Sequence, residues 1–359
     1  MQKKVLIVGA SGLVGTAAAN SFAQAGWQVV TASRRRPELL SEKNFEFLAL
    51  DLQNESACAD ACKELTGITH IVYTAVFELP GLVHGWSDPN QISTNGQMLK
   101  NLLLGLEKSN RLEHVTLLQG TKAYGAMVGP MRVPARESQS RVEHPNFYWL
   151  QEDFLRAHAK QHSYNFTILR PQMIVGPNHG VVMNLPPVIG VYAALRTAEG
   201  LPFSFPGGAD RVLEAVDVRL VGDACCWAAT EQSAVGQTYN LTNGEVFSWR
   251  DMWPAIASAL EVPIGDDEPL SMAEYFADRS GLWDSLVVEH NLKSNTLAQV
   301  VGESHYYADL CFAYGVSEPL PPIFVSTIKI NQAGFTQTYN SEESFCYWLR
   351  DLRARRIIP

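Results

Sequence analysis

The stretch Val5-Leu6-Ile7-Val8-Gly9-Ala10-Ser11-Gly12-Leu13-Val14-Gly15 decides the fold. An apolar, β-branched run ends in GxxGxxG, and an Ala-rich segment with helical periodicity follows. The order reads as strand, tight turn, helix. Glycines at these positions permit the turn, let backbone approach a pyrophosphate and let the helix pack against the sheet. The helix N-terminus adds free N–H groups and a positive dipole end, which suit phosphate. Gly9, Ser11, Gly12, Leu13 and Gly15 are therefore the candidate dinucleotide-binding residues.

Outward from this turn, short apolar runs alternate with helix-period segments. Strands are expected at 28–32, 45–50, 70–75, 113–118 and 165–169, and helices at 12–25, 56–65, 92–109 and 146–162. This alternation implies an α/β, doubly wound parallel sheet, an NAD(P)-binding Rossmann fold. After Arg170-Pro171 the rhythm loosens, with Gly and Pro clustered at Gly176-Pro177, Pro186-Pro187 and Pro206-Gly207-Gly208. It returns at Ala215–Val218, a helix from Val221 to Thr230, and a strand at Thr238–Leu241. The expected organisation is a cofactor domain over 1–180, re-entered at about 211–243. A smaller, mainly helical C-terminal substrate lobe is expected from 181–210 and 244–359.

The 359 residues are 46% hydrophobic and 18% charged, an ordinary globular balance with room for a sizeable core. A net charge of −9 argues against nucleic acid or an anionic membrane as partner. The apolar run after Met1-Gln2-Lys3-Lys4 is too short for a signal segment or a membrane span, so a cytoplasmic protein acting on a small molecule is expected. Six cysteines form no CxxC pair, and nine histidines show neither HxH nor HExxH spacing, so no metal site is expected and the thiols read as small buried side chains.

The second strand runs into Arg34-Arg35-Arg36. An acidic residue there would bond a ribose 2′-OH, whereas arginine accommodates a 2′-phosphate, so Arg34 and Arg35 point to NADP(H). Asp51 and Leu52, after the third strand, are expected to border the adenine. Ala75, after the fourth, and Ile174, after Arg170-Pro171, are expected beside the cofactor.

A short-chain dehydrogenase ordinarily carries Tyr-xxx-Lys on one helix. Here Tyr148 is followed by Glu152 and Tyr124 by Val128. Asn146-Phe147-Tyr148-Trp149-Leu150-Gln151-Glu152-Asp153 instead resembles the NFYYxxED motif of the progesterone 5β-reductase and iridoid synthase-like reductases. Gly120-Thr121-Lys122-Ala123-Tyr124 resembles their GxKHY segment. The likeness continues through Arg170-Pro171, Met183-Asn184-Leu185, Ala193-Ala194, Phe205-Pro206-Gly207, Asn240–Gly244 and Phe247-Ser248-Trp249 to Gly334-Phe335 and the final Ile357-Ile358-Pro359.

The resemblance implies that the lysine comes from the loop after a central strand, making Lys122 and Tyr148 the catalytic pair, with Tyr124 structural. It implies NADPH-dependent 1,4-reduction of an enone or enal, and a homodimer. A nearby ammonium is expected to lower the tyrosine pKa. The chain departs from the pattern at Trp149, at Leu118-Gln119, at Gly129-Pro130-Met131 and in a longer segment from Phe77 to Asp88, so no steroid or iridoid specificity is carried over. Val76, Phe77, Met131 and Phe324 are the candidate substrate contacts. Two other readings stay open: a carbonyl reductase or nucleotide-sugar epimerase/dehydratase, and a protein that senses NADP(H) without turnover.

Overall fold

The computed structural model describes residues 3–40, 45–107, 109–293 and 296–359. Its strands are β1 (Lys4–Val8), β2 (Gln28–Ser33), β3 (Glu46–Ala49), β4 (His70–Tyr73), β5 (His114–Leu118), β6 (Asn165–Pro171), β7 (Met173–Val175), β8 (Val212–Leu213), β9 (Ala215–Asp217), β10 (Gln237–Leu241) and β11 (Phe247–Ser248). Seven of them form one sheet in the order β10-β6-β5-β4-β1-β2-β3, and every neighbouring pair is parallel. The order reverses between β1 and β4. In such sheets a ligand binds outside the carboxyl ends of the strands at that reversal.

Burial on both faces explains the unbroken apolar run of β1. Val5 and Ile7 face one side, where α1 (Leu13–Gln24) packs, while Leu6 and Val8 face the other, where α2 (Glu55–Lys63), α3 (Pro89–Leu106) and α4 (Phe147–His162) pack. α5 (Leu185–Ala198) joins a third, aromatic core with α7 (Trp249–Leu260) and the helix Ser341–Ala354. In that core Phe203 stacks on Trp253 with ring centroids 4.5 Å apart, and Trp249 meets Phe312 edge-on.

Between these cores α6 (Val218–Ala228) returns the chain to the main sheet and packs on α1. β10 then pairs with β6, Gln237 opposite Thr167. β9 does not enter that sheet; it pairs with β7 in a separate ribbon. The helix expected from Val221 begins at Val218, because the Asp217 carboxylate accepts from Arg219 N at 2.9 Å and caps it. α3 likewise starts before Ile92: Asp88 accepts from the backbone of Asn90 and Gln91, and Pro89 fits the first helical position. Among the described residues no helix is long and apolar enough to cross a membrane.

The glycine turn is the tightest point of this arrangement. Gly9 has φ +84°, and a Cβ there would lie 2.7 Å from both Ala75 N and Thr74 Oγ1. A Cβ on Gly15 would lie 2.3 Å from Gly9 O, so α1 crosses the turn with no space for a side chain. Gly15→Ala is therefore expected to destabilise the protein by about 1–3 kcal/mol through overpacking, read as a lowered urea midpoint at unchanged slope.

Candidate active site

A cleft of about 640 Å³ opens at the carboxyl ends of β1, β4 and β5. Gly12 and Leu13 line one wall, and Thr74, Ala75 and Val76 continue from β4. Gln119, Gly120 and Lys122 follow β5, Tyr148 enters from α4, and Ile174 lies on β7. The rest is largely apolar, including Met127, Met131, Met183, Leu213 and Leu310.

Tyr148 sits in the first turn of α4. Asn146 caps that helix by accepting from Tyr148 N at 3.0 Å, which sets the direction in which the phenol leaves the helix. The phenol oxygen lies close over Gly120, where a Cβ would be only 3.3 Å from it. Lys122 belongs to a single 3₁₀ turn, Thr121–Tyr124, closed by Gly125 at φ +78°. Tyr124 is structural: its hydroxyl donates to Asn240 Oδ1 at 2.6 Å, and the Arg170 guanidinium covers its ring.

The cleft thus joins the tyrosine and lysine that the sequence separates by 26 positions (148 − 122). Among the described residues no hydrogen bond links the two side chains. Lys122 Nζ instead stands 3.5 Å from the centroid of the Trp86 ring. Burial lowers its pKa to about 8, with the Glu78 carboxylate acting in the opposite direction. The expected depression of the tyrosine pKa is not met: burial, and secondly the Glu78 charge, push the phenol upward, against a weaker pull from Arg170. With the ammonium turned to Trp86 and Glu78, Tyr148 stays a protonated donor at neutral pH.

Behind the tyrosine lies a buried polar network. Glu152 occupies the position where Tyr-xxx-Lys would place lysine. Its carboxylate accepts from Gln119 Nε2 at 3.1 Å and Arg156 Nε at 2.9 Å, and lies 3.5 Å from Arg170. Arg170 Nε also donates to Gln119 Oε1 at 2.9 Å. Burial alone would raise the Glu152 pKa, but these hydrogen bonds and the two arginine charges outweigh it and hold the group below its ordinary range. The network clamps α4 to β5 and β6.

The fit to a dinucleotide can be tested on the glycine turn. Gly12 caps α1 without a side chain, the first turn carries no acidic residue, and Gly12, Leu13 and Val14 line the cleft. Ser11 is exposed beside them, and its carbonyl accepts from Asn178 Nδ2. Arg34 and Arg35 lie just beyond β2, both exposed, and among the described residues neither has a carboxylate partner. A phosphate-bearing ligand therefore meets free donors and no resident anion at both positions.

Other expected contacts fall elsewhere. Phe324 does not line this cleft but a neighbouring groove of about 300 Å³; Ile323, one residue earlier, lines both. Phe77 packs into the core beneath α3, because Asn95 bonds both its backbone N and O and turns its ring inward. Leu52 is buried in the same core, and Asp51 is exposed, accepting from Gln53 N. Val76 and Met131 do line the cleft.

Sequence reasoning missed Glu78 and Trp86, and at the other end Arg211, Glu214 and Tyr307. Glu78 is the one acidic residue between Ala75 and Ser87, a signal that an all-apolar loop would lack. The metal reading also overlooked that His158 and His162 are four apart on a helix. At the far end of α4 they meet Glu107, all three ligand atoms lying within 4.8 Å of one another, and Glu107 bonds His158 Nε2 at 2.7 Å. The cysteines are free, and all but Cys226 are buried.

A parallel sheet whose strand order reverses at a glycine turn, with tyrosine and lysine gathered at its carboxyl edge, defines a Rossmann-fold protein of the extended short-chain dehydrogenase type. The chain belongs to the NAD dependent epimerase/dehydratase family, which residues 5–242 match. It is 29% identical over 374 residues to the (S)-8-oxocitronellyl enol synthase of Catharanthus roseus, covering 99% of this chain and 92% of that protein. It is 28% identical over 376 residues to the 3-oxo-Delta(4,5)-steroid 5-beta-reductase of Arabidopsis thaliana, with the same coverages. These are the relatives that the NFYWLQED and GTKAY segments pointed to. In fold it is similar to the UDP-glucose 4-epimerase of Thermus thermophilus, solved with NAD, at a TM-score of 0.67 and 18% identity over 98% of this chain and 99% of that one. The corresponding epimerase of Thermotoga maritima gives a TM-score of 0.68 at 14% identity, again over 98% and 99%.

The network predicts a specific acid response. Glu152→Ala, which strands the buried Arg170, is expected to cost about 3–5 kcal/mol in urea unfolding at neutral pH. A carboxylate with a depressed folded pKa contributes stability above its unfolded value of 4.5 and loses it as pH falls through the folded one. The stability gap between wild type and Glu152→Gln should therefore shrink as pH is lowered below about 4.5.

Proposed function

We propose that this chain is an NADPH-dependent reductase of activated C=C bonds, acting on enones or enals by 1,4-addition. The observation that carries the reading is the Tyr148 phenol, kept protonated and pressed over Gly120 in the same cleft as Lys122 and the glycine turn. Bound NADPH supplies the hydride, which goes to the β-carbon and leaves an enolate. Tyr148 donates its O–H to the carbonyl oxygen where that negative charge grows, so a preorganised donor lowers the barrier. Lys122, an ammonium at neutral pH, adds a positive charge on the same side and a donor for the cofactor ribose. The apolar walls hold the carbon skeleton and exclude water from the reacting face. Arg34 and Arg35, exposed and without an acidic partner among the described residues, suit a 2′-phosphate. The activities of the relatives, an enol synthase and a steroid 5-beta-reductase, support the same class of chemistry.

NADPH oxidation with 2-cyclohexen-1-one against cyclohexanone tests this. Turnover of the enone alone is expected; turnover of the ketone alone would make the protein a carbonyl reductase, and binding of NADPH with neither consumed would make it a sensor. Tyr148→Phe is expected to lower kcat by about 10²–10³-fold, the loss typical of one transition-state donor, and Lys122→Ala to lower it too, with NADPH binding little changed in both. Near-wild-type rates in both variants would remove the site assignment. Arg34→Ala with Arg35→Ala should cut the NADPH-over-NADH preference by one to two decades, the value of a charged hydrogen bond of about 1.5–3 kcal/mol, measured as the ratio of the two dissociation constants.

A further inference from the structure

The segment from Phe77 to Asp88, longer than the resemblance predicts, is built around a carboxylate that the reaction above does not use. Glu78 Oε2 accepts from Gln91 Nε2 at 2.5 Å, and Gln91, wholly buried in α3, also accepts from Leu79 N at 2.7 Å. Asn95 holds Phe77 by backbone N and O, both at 2.8 Å. Gly85 closes over Gln91 so tightly that a Cβ would lie 2.3 Å from its Oε1. The loop is thus tied to α3 at three points, and its two cleft-facing side chains are Glu78 and Trp86. Glu78 Oε1 and Trp86 Nε1 are both buried without a hydrogen-bond partner among the described residues. The Trp86 ring supports the Lys122 ammonium at 3.5 Å from its centroid.

We propose that Glu78 is a positioning residue for Lys122: seated on Gln91 beside the Trp86 ring, its carboxylate holds the ammonium charged and in place within the cleft. This rests on the reading of Lys122 as the working cation. It gives the lysine, displaced from the tyrosine helix, an anchor on a different element. An ammonium over an indole face with an anion beside it gains from both contacts, and more so away from water.

Glu78 is the carboxylate whose charge acts on Lys122; Glu214, which also lines the cleft, is taken up by Val325 N at 2.9 Å and Gln172 Nε2 at 3.4 Å. From α4 comes Tyr148, neutral while protonated; from α3 comes Gln91, uncharged. On the loop itself His84 is exposed. Glu303 bonds Gly81 N with its carboxylate, and Arg170 is held by Glu152 and Gln119 behind the tyrosine. The Glu78 charge opposes the effect of burial on Lys122 and raises Tyr148; burial raises the pKa of Glu78 itself, and Lys122, Gln91 and Trp86 each act to keep it a carboxylate.

Lys122 can be followed directly, whatever the substrate, by NMR titration of protein labelled at lysine Cε, its signal assigned by its loss in Lys122→Arg. In wild type it is expected to titrate near 8. Glu78→Gln, which preserves shape and the bond to Gln91, should lower that value by about one to three units, and Glu78→Asp should return it toward wild type. The basic limb of the kcat/KM–pH profile for enone reduction should move by the same amount, while a merely structural role would change the thermal midpoint and leave the limb in place. A wild-type lysine titrating at the ordinary 10.5, or a Glu78→Gln titration that coincides with wild type, overturns the proposal. A displaced titration in a protein that turns over no enone sustains it and removes the reductase reading instead.

Discussion

The buried Glu152 carboxylate is the constraint on which the site depends. It draws Gln119 from the end of β5, Arg156 from its own helix and Arg170 from β6 onto one pair of oxygens. Three elements are held together by charge-assisted bonds on a buried carboxylate, with Arg156 and Arg141 reaching it from the surface. Such a network is worth keeping only if every member is satisfied, since an unpaired buried charge is far costlier than an apolar replacement. Once α4 is fixed in this way, the position of Tyr148 follows, because it stands one helical turn before the clamp at Glu152.

A second consequence concerns what stands where lysine would be expected. With Glu152 turned inward as the anchor, position 152 cannot present a cation to the cleft. The ammonium comes instead from a 3₁₀ turn after β5 and lines the same cleft as the tyrosine. Its environment is supplied by Trp86 and Glu78 from yet another loop. The site is therefore an assembly of short segments, the Glu78 and Trp86 loop following β4 and the Lys122 turn and the start of α4 both following β5.

The fold is legible from a few residues because the constraints there are local. The glycines of 9–15 answer to steric contacts within one turn, and the apolar run of β1 follows from burial on both faces. Periodicity places two helix starts about three residues late, where the cap is an aspartate, Asp88 or Asp217, that looks like loop. Tyr148 and Lys122 are legible only through a resemblance of motif, since no periodicity joins them. An apolar side chain on a loop can face a cleft, a core or a side groove, as Phe77, Leu52 and Phe324 show, and only contacts such as those of Asn95 with Phe77 decide which. Glu78 and Trp86 escape notice because their significance lies in Gln91 and Lys122, neither of which is near them in sequence.

The cleft draws its cofactor end from one short turn and its apolar walls from loops scattered between Met127 and Ile323. The two meet where Leu13 and Leu213 share one core. Met131, Leu213 and Leu310 offer bulk and no hydrogen bonds, so a single change of side-chain volume at any of them redraws the outline of the space a ligand must fill.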